Sequence, residues 1–270
     1  FYLSAFLLFQ VYLAKDRPIK TGFKVLVLFI ISIAFILGFS VKQTVITLPL
    51  MLLLYFLFGQ EPESSSIRWL NKWKWKIGFI VLVGIILLFY KLLTDESFLI
   101  GPSSAGEDIG RLNYMLTQPS VIVYYYVKLL VFPINLNIDP DILLVTEWWS
   151  WKFITALTGI AGLIYFSCRA KEKLFLLYFI FWFLIVLSPS SSIITLGDLA
   201  AEHRTYLASY SFYAAVAFCV YKVPHLVYSA HPKKSRNIAL AVSIFIAVIF
   251  SVLTIQRNKI WASEVSLWAD

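Results

Sequence analysis

Charge is what this chain has least of. Asp, Glu, Lys and Arg make up 14% of its 270 residues, against roughly 25% in an average soluble domain. Hydrophobic residues reach 60% and the mean hydropathy is +0.80, which excludes an ordinary water-soluble domain and points to a polytopic membrane protein. Cysteine is almost absent too. Cys168 and Cys219 are the two in the chain, both at or in apolar runs. A disulfide framework and a Cys–His metal centre are therefore excluded, because neither CxxC nor metal-ligand spacing occurs. Cys219 reads as a small buried hydrophobe and Cys168 as the end of a span. No Walker loop, GxGxxG, HExxH or nucleophile elbow is present, which removes the phosphate-loop, dinucleotide, zincin and serine-hydrolase routes to chemistry. No period of 20–50 residues repeats, and no segment is low in complexity.

What is present is a series of apolar runs at 1–14, 23–39, 45–58, 77–93, 119–137, 152–168, 173–188, 206–223 and 237–255. A span needs roughly 20 apolar residues, fewer where flanking side chains snorkel. Strand-type alternation is missing, and a bilayer offers the backbone no water, so these runs must be helices. The aromatic share of 17% suits rings at lipid–water boundaries.

Four short loops hold 15 of the 23 basic residues: Lys15, Arg17, Lys20 and Lys24; Arg68, Lys72, Lys74 and Lys76; Arg169, Lys171 and Lys173; and Lys222, Lys233, Lys234 and Arg236. The positive-inside rule assigns these loops to the cytoplasm. The net charge of +8 thus sets topology and gives no reason to expect nucleic acid as a partner. Loops 40–44, 94–118 with its sequel to 151, 189–205, and the tail from 256 are then external.

Parity raises a conflict. Three apolar runs lie between the inside loops 59–76 and 169–173, where two crossings fit. The run "SVIVYYYVKLLVFPINL" (120–136) is the one expected not to cross, because Lys128 sits in its middle and Pro133 breaks it. It reads as a re-entrant or interfacial helix, and "TEWWSW" (146–151) reads as an aromatic belt for the next span. The expected fold is an all-α polytopic membrane protein of about eight crossings plus one re-entrant or interfacial helix. Phe1 lies inside an apolar run and Asp270 inside a polar one, as expected of an internal piece of a longer protein.

Polar chemistry gathers outside. In "SPSSSIITLGDLAAEHRTYL" (188–207), Thr195 to Asp198 fits a helix start. A helix from there puts Asp198, Glu202 and Tyr206 on one face and Arg204 on another. Arg204 carries a planar fork suited to phosphate, and His203 can move a proton near neutral pH. Marking the membrane surface is the competing reading of Glu202 and Arg204. Lys42, in "GFSVKQTVITLP" (38–49), offers a charge to an anionic headgroup or simply snorkels. Arg111, Tyr114 and Gln118 share one face of a helix outside the bilayer, either solvated or lining a site. Asp139 and Asp141, which could bind a metal or act as a base, flank a proline and read first as a turn. The tail "QRNKIWASEVSLWAD" (256–270) has an amphipathic helical pattern and divides the chain into a membrane domain (1–255) and the start of an external helical domain (256–270).

Four stretches, in order, resemble polytopic C-type glycosyltransferases, specifically the protein O-mannosyltransferase-like proteins with C-terminal tetratricopeptide repeats. They are "SVKQTVITLPLMLLLY" (40–55), "RLNYMLTQPSVIVYYYVKLLVFPINLNID" (111–139), "LSPSSSIITLGDLAAEHRTYL" (187–207) and "RNKIWASEVSLWAD" (257–270). The block around Glu202, His203, Arg204 and Tyr206 is the most specific. The resemblance implies transfer of a sugar, mannose among the candidates, from a polyprenyl-phosphate donor to an acceptor hydroxyl of a protein or glycan on the outer face. It implies a catalytic carboxylate in a first external loop upstream of Phe1, with Asp198, Glu202 and His203 as weaker candidates inside the chain. It makes Arg204, Lys42 and Arg111 candidates for the donor phosphate and Tyr114, Gln118 and Tyr206 for the substrate lining. A divalent metal is compatible with it, although no ligand set is assigned. Protein partners through the repeats also follow from it, while the compact loops suit a bacterial inner membrane with a periplasmic active face (the ER lumen in a eukaryote). One departure stands out: Gln43 replaces the acid that follows the lysine in many relatives.

Two other classes compete. A transporter or flippase would place ionisable residues at the bilayer midplane, where this chain has only Lys128. A membrane anchor for a repeat scaffold would need no catalysis.

Overall fold

The computed structural model describes residues 1–13, 21–58, 109–134, 136–137, 140–191 and 195–261, and the described residues are mostly helical with no β-strand. The chain divides into two units, Phe1–Ser103 with Ile185–Leu196, and Ser104–Leu184 with Gly197–Asp270.

In the first unit, α1 (Tyr2–Leu13) packs on α2 (Thr21–Val41), and a 3-10 turn (Gln43–Thr47) leads into α3 (Leu48–Phe58). Ala5 and Phe6 of α1 and Val27 and Ile31 of α2 are all buried. Phe6 meets the Tyr55 ring edge-on at 5.2 Å. The Tyr2 hydroxyl, which needs a partner once buried, lies 3.0 Å from the Thr47 hydroxyl. Gly38 lets α2 approach the 3-10 turn, since a Cβ there would stand 3.2 Å from Val45 Cγ1.

The second unit holds α4 (Arg111–Ser120), a π-helical turn (Val121–Val127), α5 (Lys128–Val131), α6 (Trp151–Arg169), most of α7 (Lys173–Leu187), a 3-10 turn (Glu202–Arg204), α8 (Thr205–Val227) and α9 (Pro232–Ile260). Residues 111–131 are one continuous helical segment. Pro119 lies inside it and cannot donate to the carbonyl four residues back. The π turn follows directly, widening the helix where the α-ladder is already broken. Pro133 ends the segment. Leu130 O, in the last helical turn, accepts a hydrogen bond from the Tyr213 hydroxyl at 3.1 Å, while the Ile134 N–H that would reach it in a continued helix goes to Phe132 O. Trp182 is fully buried and ties α7 to α8, donating from Nε1 to Leu207 O at 3.3 Å with its ring 5.2 Å from that of Tyr210.

Among the described residues, α6 and α9 are long and apolar enough to cross a membrane. Shorter apolar helices run Tyr2–Leu13, Val25–Val41, Thr44–Phe56 and Lys173–Leu187. Along α9, Leu240, Ile244, Phe245, Val248, Val252 and Ile255 are all exposed. A continuous apolar surface of that extent would aggregate in water and suits lipid.

Among the described residues two helices qualify as crossings, against the expected total of about eight, and the run 77–93 lies outside those residues. The helices follow the apolar runs closely, but several other expectations need correcting. No helix starts at Thr195: residues 197–201 are irregular and α8 starts at Thr205. Cys219 is exposed on α8, not buried. The run at 119–137 and the polar helix before it are a single segment, not two elements. α9 continues through Gln256 to Ile260, so the helix does not break at 255/256; residues 262–270 of the expected tail helix lie outside the described residues.

Candidate functional site

The site is built around the loop Gly197–Arg204. Its backbone is irregular, so buried N–H and C=O groups need partners from elsewhere. Gln118, 1% exposed, donates from Nε2 to Leu199 O at 3.1 Å. The N–H of Ala201 donates to the Tyr126 hydroxyl at 3.3 Å. The π turn aims Tyr126 inward, fully buried, from a segment whose neighbour Tyr124 is exposed. Thr117 performs the same service for a second irregular stretch, accepting from the Val145 N–H at 2.9 Å.

These bonds explain why Asp198, Glu202 and Tyr206 do not share a helical face. The side chains of Gln118 and Tyr126 take the loop's polar groups before a helix can use them. The 3-10 turn then carries Glu202, His203 and Arg204 in three directions. Arg204 turns inward and is 9% exposed. Its guanidinium donates to Asp198 O at 3.1 Å and lies 3.9 Å from the Asp198 carboxylate. Glu202 faces Arg257, from the end of α9, at 3.6 Å. Arg257 also donates to Leu136 O at 3.0 Å, capping the strip that follows α5. His203 is exposed, and Tyr206 is 80% exposed.

Beside this loop lies an open groove of about 410 Å³. Leu129, Leu130, Pro133 and Leu136 form an apolar wall. Glu202, His203, Thr205 and Ser209 supply the polar side, with Tyr206, Tyr213 and Trp261 completing the lining. One ligand could therefore meet hydrocarbon on one flank and hydrogen-bonding groups on the other.

Of the candidates named from sequence, Glu202, His203 and Tyr206 meet at this groove. Arg204 and exposed Asp198 sit behind it as a pair. Tyr114 and Gln118 are buried beneath the loop, so they support it and do not line the groove. Arg111 is half-buried at the start of α4, while Lys42 is exposed in the first unit. Asp139 lies outside the described residues, and Asp141 is exposed. Among the described residues no group of three His, Cys, Asp or Glu could hold a metal ion.

Sequence reasoning missed Arg257 and Tyr126. Both carried a signal. Arg257 follows an apolar run on the side assigned to Glu202, so an ion pair at that boundary was readable. Tyr126 is a hydroxyl in an apolar run, and such a group needs a partner.

The chain matches no protein-family model, no curated protein and no solved structure.

Proposed function

We propose that this chain is the membrane part of a glycosyltransferase that moves a sugar from a polyprenyl-phosphate donor to an acceptor hydroxyl. The groove carries this reading: its two walls match a lipid-linked donor, whose tail needs an apolar surface and whose phosphate and sugar need polar groups beside it. In the proposed arrangement the donor chain lies along Leu129, Leu130 and Leu136. His203, at the polar rim, donates to the phosphate, and Glu202 borders the sugar. Arg204 acts by fixing the loop through Asp198. The body is a polytopic bundle of about eight crossings with residues 111–131 lying at the interface.

The test uses the full-length protein in proteoliposomes with a radiolabelled polyprenyl-phosphate mannose and a hydroxyl acceptor. The expected result is acceptor labelling that falls about a hundredfold or more in His203→Ala at normal protein level. No transfer by the unaltered protein, or unchanged transfer by the variant, overturns the reading. The topology is tested separately by impermeant labelling of single cysteines at Ser64 and Ser104, which must label from opposite sides.

One observation favours a second reading, a non-catalytic membrane anchor. Glu202 and Arg204 each face an opposite charge within the chain, as structural ion pairs do. Absence of transfer with a range of lipid-phosphate sugars would select it.

A further inference from the structure

A second charged surface lies in the second unit, away from the groove. The turn between α6 and α7 carries Arg169, Lys171 and Lys173, all exposed. The start of α9 carries Lys233, Lys234 and Arg236, also exposed. The two sets belong to one end of the unit. Lys222, late in α8, pairs with Glu172 in the first turn, and Phe218 lies 4.3 Å from Phe175. Glu172 is the single acid in these two segments, and Lys222 already engages it.

The depth of this surface follows from helix length. α9 has 29 residues and so spans about 43 Å, against a hydrocarbon core of about 30 Å. With α9 crossing, about a turn at each end stands in the headgroup layer, and the first of these is the turn that holds Lys233, Lys234 and Arg236. Aromatic rings hold several of the cations at that level. Lys234 lies 4.4 Å over the Tyr228 ring, Arg169 5.3 Å over Tyr165, and Lys222 5.1 Å over Phe218. Tyr221 is exposed at the same end. Rings of this kind settle at the lipid–water boundary.

The charge arrangement is locally unfavourable. A helix start is the positive end of the helix dipole, where cations destabilise, and α9 places three there with no acid in its first turn and no side-chain cap. Anions held across Lys233, Lys234 and Arg236 would remove that conflict, while snorkelling or topology alone would not.

We propose that this basic end, residues 169–173 with 222–236, is a binding surface for anionic phospholipid headgroups of the bilayer that α9 crosses. Its recognition is electrostatic, with ring-held cations setting the depth. It does not depend on the groove or on sugar transfer.

The test is native mass spectrometry of the full-length protein in detergent, titrated with phosphatidylglycerol or phosphatidylcholine. Retention of phosphatidylglycerol is expected to exceed that of phosphatidylcholine and to weaken as salt rises. Lys233→Gln/Lys234→Gln/Arg236→Gln should lower phosphatidylglycerol affinity about fivefold per charge removed and leave phosphatidylcholine unchanged. Lys152→Gln, at the opposite end of α6, should leave the preference intact. Equal retention of the two lipids overturns the proposal. So does a triple variant that keeps its preference, or a Lys152→Gln loss as large as that of the triple variant. If the triple variant does not fold, Lys234→Gln alone with the salt titration decides, and a salt-independent or unaltered preference is then the refuting result.

Discussion

The Glu202–Arg257 pair ties the start of α8 to the end of α9, and its energetics can be worked from the structure. The side chains are 22% and 12% exposed, and the charges stand 3.6 Å apart. At an effective dielectric of about 20, two unit charges at that distance attract by about 5 kcal/mol. Desolvating both ions cancels much of this. A net coupling of about 1–3 kcal/mol is left, in the range of contacting pairs. Glu202→Gln alone should cost more, about 3 kcal/mol, because it removes the counter-charge and leaves the guanidinium buried. Arg257→Met should cost a similar amount, since it also gives up the bond to Leu136 O. The double variant should lose less than the sum of the singles by about 1–3 kcal/mol. The assay is unfolding in mixed dodecylmaltoside–dodecylsulfate micelles, followed by tryptophan fluorescence, for all four proteins. Additivity within about 0.5 kcal/mol would refute the reasoning and make the pair an incidental surface contact.

Three more predictions concern the same framework. Tyr126→Phe should cost about 1–3 kcal/mol, because it strands the buried Ala201 N–H; amide exchange should quicken across 197–204 and stay slow in α9. Gly38→Ala should destabilise by up to about 2 kcal/mol, overpacking against Val45 outweighing the gain in helix propensity, and adding Val45→Ala should restore a measurable part of the loss in thermal unfolding. The hydrogen bond from Lys222 holds the Glu172 carboxyl below its ordinary value. A lowered folded-state pKa means stability that is present above the unfolded value and lost as pH falls through the folded one. The unfolding midpoint of the unaltered protein should therefore drop more on acidification than that of Glu172→Gln, compared between pH 6 and pH 3.

Much of the helical layout was legible in the sequence. Apolar runs set the helices because a bilayer or a core rewards the same residues, and 152–168, 173–188 and 206–223 each fall within about four residues of a helix. The membrane environment was legible from the shortage of charge, and α6 and α9 agree with it. What failed was local. The helix start at Thr195 rested on a short motif, and motif chemistry lost to long-range bonds from Gln118 and Tyr126, which lie 81 and 75 residues from the groups they meet. Tyr114 and Gln118 looked like an exposed polar face because periodicity reports which residues share a face, not what covers it. The pairing of Arg204 was not legible either, because a sequence does not show that Asp198, six residues earlier, folds back onto it.

The wide turn at Val121–Val127 has a consequence for how this protein can vary. It accommodates one backbone residue more than an α-helical path would need. Removing a single residue from 121–125 would let the turn close to α-helical geometry and leave everything downstream nearly in phase with α4. Tyr126, Leu130 and the lining from Leu129 to Leu136 would then keep their places. A one-residue insertion has no such reserve: it would rotate the downstream segment by about 100° relative to α4 and carry the loop support and the groove wall away together. This short stretch can therefore lose a residue more readily than it can gain one.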